Sequence, residues 1–147
     1  MRIDFTKMHG LGNDFIVFDM PAGASLPTVE QWRKLADRHT GIGFDQALVL
    51  EPPRRDGTVA FYRIVNSDGS EVEQCGNGAR CIAAFVRLRG RANTDSFTLD
   101  SPGGLVRAHL STRDSACGWS SWLISGSRSR MHAVTPSSSS RHAAASS

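Results

Sequence analysis

Residues 66–81, NSDGSEVEQCGNGARC, set Cys75 directly before Gly-Asn-Gly, at the head of the apolar run ARCIAAFVRLRG. A cysteine in that place can do chemistry. The first amides of a helix have no partner inside it and together carry about half a positive charge, so they favour a thiolate over a thiol. Helix N-termini are among the settings that bring thiols toward the neutral range, where one group can take a proton and return it. The same amides bind carboxylates. Gly76 and Gly78 let the backbone approach a ligand closely, and Asn77 offers both a donor and an acceptor. The pattern describes a thiol acid/base beside an anion cradle. The plain alternative is a tight turn holding a small, buried cysteine.

The flanking elements must position that thiol. RIDFTKMH alternates as a strand, HGLGND breaks it and FIVFD resumes, which predicts a hairpin-like start. Over Leu26–His39 the spacing of Val29, Trp32, Leu35 and Ala36 predicts a helix with Thr28 as its cap, ended by Thr40–Gly43. QALVLEPP reads as a strand stopped by prolines, and TVAFYRIVNSDGS as a strand entering an Asp-Gly turn. After Cys75, residues Ala79, Ile82, Ala83, Phe85 and Val86 cover more than one helical face, which predicts a largely buried helix with Gly90 as its stop. SFTLDSPGGLVRAHL supplies two further strands around a Pro-Gly-Gly turn. The fold class is therefore α+β, with mostly antiparallel strands around a buried helix that begins after Cys75.

Bulk properties narrow the classes. The chain has 147 residues, 39% apolar and 21% charged, and no run approaches the ~20 apolar residues of a membrane span. No membrane role is expected. The N-terminus lacks the layout of a secretory leader, so a cytoplasmic location, with reduced thiols, is the expectation. Cys75, Cys81 and Cys117 form no C-x-x-C pair and no zinc spacing, so neither a metal site nor a disulfide framework is expected. Residues 1–110 hold 13 Lys/Arg and 13 Asp/Glu, and the whole excess of +3 lies beyond them. The division is 1–112 as one domain and 113–147 as a Ser/Arg/Ala-rich tail, read as mostly disordered because only WSSWLI offers apolar area.

Three stretches carry a family resemblance. NSDGSEVEQCGNGARC resembles the first active-site cysteine motif of the diaminopimelate epimerases, MHGLGNDFIVFD their N-terminal signature, and DRHTGIGFDQALVLEP their next segment. Together they cover about residues 1–110. The resemblance implies a cofactor-independent and metal-free enzyme that interconverts LL- and meso-diaminopimelate in lysine and peptidoglycan synthesis. It also implies a small-molecule substrate, a homodimer and no nucleic-acid partner. It assigns Cys75 as the catalytic thiol, with Gly76 and Asn77 holding the substrate α-carboxylate. Asn13, Gln46 and Asn66 become further substrate contacts. Taken alone, Asn13 reads rather as a turn residue, and Gln46 and Asn66 can be an exposed polar position and a strand-end cap.

Cys81 lies six residues on, about 240° around an ideal helix, and is expected to be buried and inert. His9, before a glycine turn, is expected to be structural. Inversion without a cofactor needs one base on each face of the α-carbon, and the family draws its second thiol from a second, similar domain. Nothing after Leu110 resembles that domain, and Cys117, in SACGWSS, is followed by no helix pattern. The expectation is a truncated half that does not invert its substrate. The abrupt change of composition suggests a shifted reading frame, a hypothesis that an uninterrupted frame at the locus, with no second-domain sequence downstream, would sink. Two other readings stand beside the first. One is a proline-racemase-like or phenazine-biosynthesis-like isomerase of the same fold, and the other a non-catalytic chain whose Ser/Arg tail binds nucleic acid.

Overall fold

The computed structural model describes residues 4–10, 12–73, 75–110, 121–123 and 132–134. β1 (Phe5–Gly10) and β2 (Asn13–Asp19) form the expected antiparallel hairpin, in register from Phe5 opposite Phe18 to Gly10 opposite Asn13. Gly12 takes a φ of 87°, which a residue with a side chain adopts only at a cost.

The helix α1 spans Val29–Ala36, shorter at both ends than Leu26–His39. Thr28 is extended and closes a capping box with Gln31, so no helix forms before it. At the other end the Asp37 carboxylate accepts from the backbone amides of His39 and Thr40, at 2.8 and 2.7 Å, and diverts the chain into a turn.

β3 (Gln46–Glu51) lies parallel to β2 and antiparallel to β4 (Phe61–Asn66). A two-residue strand, β5 (Glu71–Val72), folds back on β4 after the Asp-Gly turn and was not foreseen. Then comes α2 (Gly76–Leu88), followed by the hairpin of β6 (Ser96–Ser101) and β7 (Gly104–His109). The sheet runs β1-β2-β3-β4-β6-β7 with β5 beside β4; among the described residues only the β2–β3 and β4–β6 pairings are parallel. Two short strands, β8 (Ser121–Leu123) and β9 (His132–Val134), pair antiparallel in a separate ladder. The rest of the tail reading falls outside the described residues.

α2 touches β1, β2, β3 and β7, so strands from both edges of the sheet close on one helix. Its side chains Cys81, Ile82, Phe85 and Val86 are at most 1% exposed and pack with Met8, Phe15, Val17, Leu48, Tyr62, Ile64 and Leu99. Each large apolar side chain hidden this way contributes about 1.5–3 kcal/mol. The helix ends as its sequence implies. Gly90, at φ 69°, lets the Arg91 amide reach Val86 O and its own amide reach Arg87 O, a Schellman stop. The opposite face of the sheet is covered by α1, where Trp32 meets Phe18 and Phe44 edge-on.

Candidate active site

Cys75 is the N-cap residue of α2, extended in backbone (φ −145°, ψ 115°), half-buried, and makes no capping hydrogen bond with its side chain. The helical ladder opens with Ala79 N donating to Cys75 O at 2.9 Å. The amides of Gly76, Asn77 and Gly78 therefore have no acceptor within the helix. The first turn carries no acidic side chain that would offset the partial positive charge. By contrast, α1 fills its own N-terminus with Thr28 and Gln31.

Gly78 explains how this end of the helix lies on the sheet. It is buried, and a Cβ there would come within 3.1 Å of Leu48 Cδ2 and 3.3 Å of Ile64 Cδ1. Its other near neighbour is the Cβ of Cys75, at 3.6 Å. Only the lack of a side chain allows α2 to approach β3 and β4 so closely. Gly76 has open space around it and is exposed, and Asn77 is half-buried.

Alternation along the strands then decides which polar residues share that face. Leu48 and Ile64 face α2, so Gln46 and Asn66, each two residues away, face it too. On β2, Phe15 and Val17 face α2, which puts Asn13 on the same side at the strand's start. Because β2 and β3 are parallel and β4 is antiparallel to β3, Asn13, Gln46 and Asn66 all fall at one end of the sheet. Two strand residues span about 7 Å. Gln46 and Asn66 thus lie within an amino acid's length of the level at which Gly78 contacts the sheet, and Asn13, four residues from Val17, lies about 13 Å from it along β2.

Gln46 and Asn66 are register partners, and Gln46 Nε2 donates to Asn66 Oδ1 at 2.9 Å. Asn66 Nδ2 donates in turn to Ser70 Oγ at 3.1 Å, and Ser70 Oγ to Asp68 Oδ1 at 2.6 Å. This relay fixes both amides before any ligand arrives. The bonds from Ser70 hold the Asp68 carboxyl below the usual carboxylate range. Gln46 Oε1 is buried without a hydrogen-bond partner among the described residues.

Sequence reasoning missed two parts of this neighbourhood. Tyr62, the lone tyrosine, is 1% exposed on the α2 face of β4. Burial pushes its hydroxyl up; a hydrogen bond with Ser101 opposes this, and the charge of Cys75 adds to it. Its place was readable only by counting in twos back from Asn66. The second missed part is a group of charges on the far side of β2 and β3. Arg38 donates from Nη1 and Nη2 to both oxygens of Asp14, at 2.9 and 2.8 Å, and from Nη2 to Asp45 at 3.0 Å. The Arg38 guanidinium holds the Asp14 carboxyl far below the usual carboxylate range, against the opposing effect of partial burial. The signal available in the sequence was an aspartate beside each amide, in Asn13-Asp14 and Asp45-Gln46.

Cys81 is fully buried in the core. His9 is exposed on β1 opposite Asp14, and Cys117 lies outside the described residues. Among the described residues no three His, Cys, Asp or Glu side chains are grouped to hold a metal ion, and no helix is long and apolar enough to cross a membrane.

A family model described as diaminopimelate epimerase matches residues 5–120. The chain is 55% identical over 101 residues to the diaminopimelate epimerase of Xanthomonas campestris pv. campestris, covering 69% of this chain and 36% of that protein. It is 52% identical over 110 residues to the enzyme of Teredinibacter turnerae, covering 75% and 40%. The chain thus spans well under half the length of these relatives. Among solved structures, a hydroxyproline epimerase from Agrobacterium vitis superimposes with a TM-score of 0.60 at 19% identity, over 83% of this chain and 41% of that one. A Bacillus anthracis phenazine biosynthesis protein of the PhzF family does so with a TM-score of 0.60 at 15% identity, over 84% and 40%. At these identities the structural likeness speaks to the fold.

Proposed function

The chain belongs to the diaminopimelate epimerase family, and from that premise we propose that residues 1–110 form one side of a cofactor-independent site that inverts diaminopimelate. The observation that carries the proposal is the convergence of Cys75, at an uncapped helix start, with Asn13, Gln46 and Asn66 on the same face and end of the sheet. In this reading Cys75 takes the α-proton and returns it. The amides of Gly76 and Asn77, without an acceptor inside the helix, hold the α-carboxylate, and their partial charge stabilises the electron density that builds up as the proton leaves. Gln46 and Asn66, fixed by their mutual bond, and Asn13 beside them bind the remaining polar groups of the substrate.

Electrostatics has to do most of this work. The α-proton of an amino acid is a very weak acid, and prearranged amides in a water-poor site can stabilise its removal without reorganising. Removal on one face and delivery on the other requires two acid/base groups. Cys75 serves one face, and the second group is to come from outside residues 1–110. Residues 1–147 alone are therefore proposed to exchange the α-hydrogen without changing configuration. The reading also includes a cytoplasmic, homodimeric enzyme of lysine and peptidoglycan synthesis. The identity to diaminopimelate epimerases favours this substrate over those of the proline-racemase-like and phenazine-type isomerases, with which the likeness is one of fold.

Incubation of residues 1–147 with LL-diaminopimelate in deuterated water tests the proposal. The expected result is α-deuterium at retained configuration, lost in Cys75→Ala. Formation of meso product by the pure chain would refute the one-thiol account, and deuterium uptake that survives Cys75→Ala would remove Cys75 from its role.

A further inference from the structure

Asn13 and Gln46 face α2, but the residues next to them, Asp14 and Asp45, sit where two parallel strands begin. The two aspartates are stitched together. Asp14 N donates to Asp45 Oδ2 at 3.0 Å, and Asp45 N donates to Asp14 Oδ1 at 3.0 Å and to Asp14 O at 3.0 Å. Two carboxylates this close repel each other unless cations intervene. Arg38 supplies three hydrogen bonds to three of their oxygens, and Lys7 Nζ lies 3.6 Å from Asp14 Oδ2 while donating to Gly43 O at 3.0 Å. The approach of Arg38 is shaped by Gly43, whose φ is 76° and where a Cβ would come within 3.1 Å of Arg38 Cγ and 3.2 Å of its Cα.

The geometry points to Arg38, with Asp14 and Asp45, as a positioning unit that sets the substrate-facing side chains of Asn13 and Gln46 from the far side of the sheet. The inference rests on the functional reading above for the role of those two amides, and on the hydrogen bonds alone for the clamp. An ordinary surface ion pair does not explain this arrangement. The Arg38 side chain is 55% exposed, and ion pairs at such exposure contribute little to global stability. Its bonds nevertheless bear on the carboxylates that hold the backbone amides at the two strand starts, one residue from each site amide. Misplacing a substrate-orienting group by about 1 Å can cost on the order of a hundredfold in rate. Arg38 thus bears on the geometry of the site beyond its part in stability.

The test uses the whole 147-residue chain, labelled with ¹⁵N, with the side-chain amide signals of Asn13 and Gln46 as readout. Arg38→Met leaves Asp14 and Asp45 with Lys7 at 3.6 Å as the nearby cation and is expected to melt below the unsubstituted chain. Its Asn13 and Gln46 signals should shift or broaden without ligand, and its affinity for diaminopimelate should fall about tenfold or more. Arg38→Lys should disturb the same signals, because an ammonium cannot engage three oxygens in one plane as the guanidinium does. Arg54→Met, which removes an ion pair to Glu51 elsewhere on the surface, should leave them in place. Unmoved signals in folded Arg38→Met would overturn the proposal; should that variant not fold, unmoved signals in Arg38→Lys would do so. Failure of diaminopimelate to shift any signal of the unsubstituted chain would instead overturn the functional reading, while the ligand-free spectra still decide the clamp.

Discussion

Substituting Gly78 by alanine sets two known effects against each other at the residue that seats the candidate thiol. Alanine is favoured over glycine in a helix by up to about 1 kcal/mol, and less in the first turn, where Gly78 lies. Against this, the new methyl would stand 3.1 Å from Leu48 Cδ2 and 3.3 Å from Ile64 Cδ1. Those side chains are 0% and 1% exposed, so neither can swing into solvent, and each must yield a few tenths of an ångström. Overpacking of this kind costs about 1–3 kcal/mol. The net expectation is a destabilisation of about 0.5–2 kcal/mol, and for a domain of this size each kcal/mol lowers the melting temperature by about 3–5 °C. The substitution also lifts the start of α2 from the sheet and moves Cys75 away from the Gln46–Asn66 pair. Thermal unfolding of Gly78→Ala and Gly76→Ala side by side provides the assay. At Gly76 a Cβ meets nothing within 4 Å, so alanine there should leave stability unchanged or raised, while obstructing a ligand that needs the bare backbone. A melting temperature for Gly78→Ala at or above that of the unsubstituted chain would refute the packing account of Gly78.

Two further predictions concern the thiol and the charge cluster. In the folded chain iodoacetamide should modify Cys75 and spare the fully buried Cys81, read by mass spectrometry; modification of Cys81 as fast as Cys75 without unfolding would contradict its burial. Asp14, faced by Arg38, Lys7 and Asp45, has a folded-state pKa depressed below the ordinary 3.8, with the Arg38 bonds as the chief cause. Its contribution to stability is therefore fully present above about pH 4 and fades as the pH falls toward its folded value. Asp14→Asn should melt below the unsubstituted chain at neutral pH, with the gap narrowing below about pH 4. A gap that stays constant down to about pH 2 would refute the assignment.

What could be read from the sequence was what neighbouring residues impose on each other. Alternation marked β1–β4, β6 and β7, glycines and Asp-Gly pairs marked the turns, and the apolar density of residues 79–86 marked α2 as a buried helix starting after Cys75. Cys75 at the helix mouth followed from the same local logic. The end of α1 did not, because a carboxylate capturing two amides outcompeted the helical ladder at Asp37. Nor did β5, since two residues gain a partner only once β4 is in place.

The roles of Asn13, Gln46 and Asn66 entered through family resemblance, because a lone amide in a turn or at a strand end carries no local sign of chemistry. Tertiary structure gave them a shared place. The parallel β2–β3 pairing spans the whole of α1, and the β4–β6 pairing the whole of α2; no periodicity announces a contact between residues so far apart in the chain. The antiparallel β3–β4 pairing brings Gln46 onto Asn66, and the parallel β2–β3 pairing sets Arg38 between two aspartates 31 positions apart. The sequence by itself determined the thiol, its helix and the face each strand would bury, because those depend on backbone periods of 2 and 3.6. Only the tertiary structure decided which amides meet and what holds them, because hydrogen bonds between distant side chains exist only after the sheet has assembled.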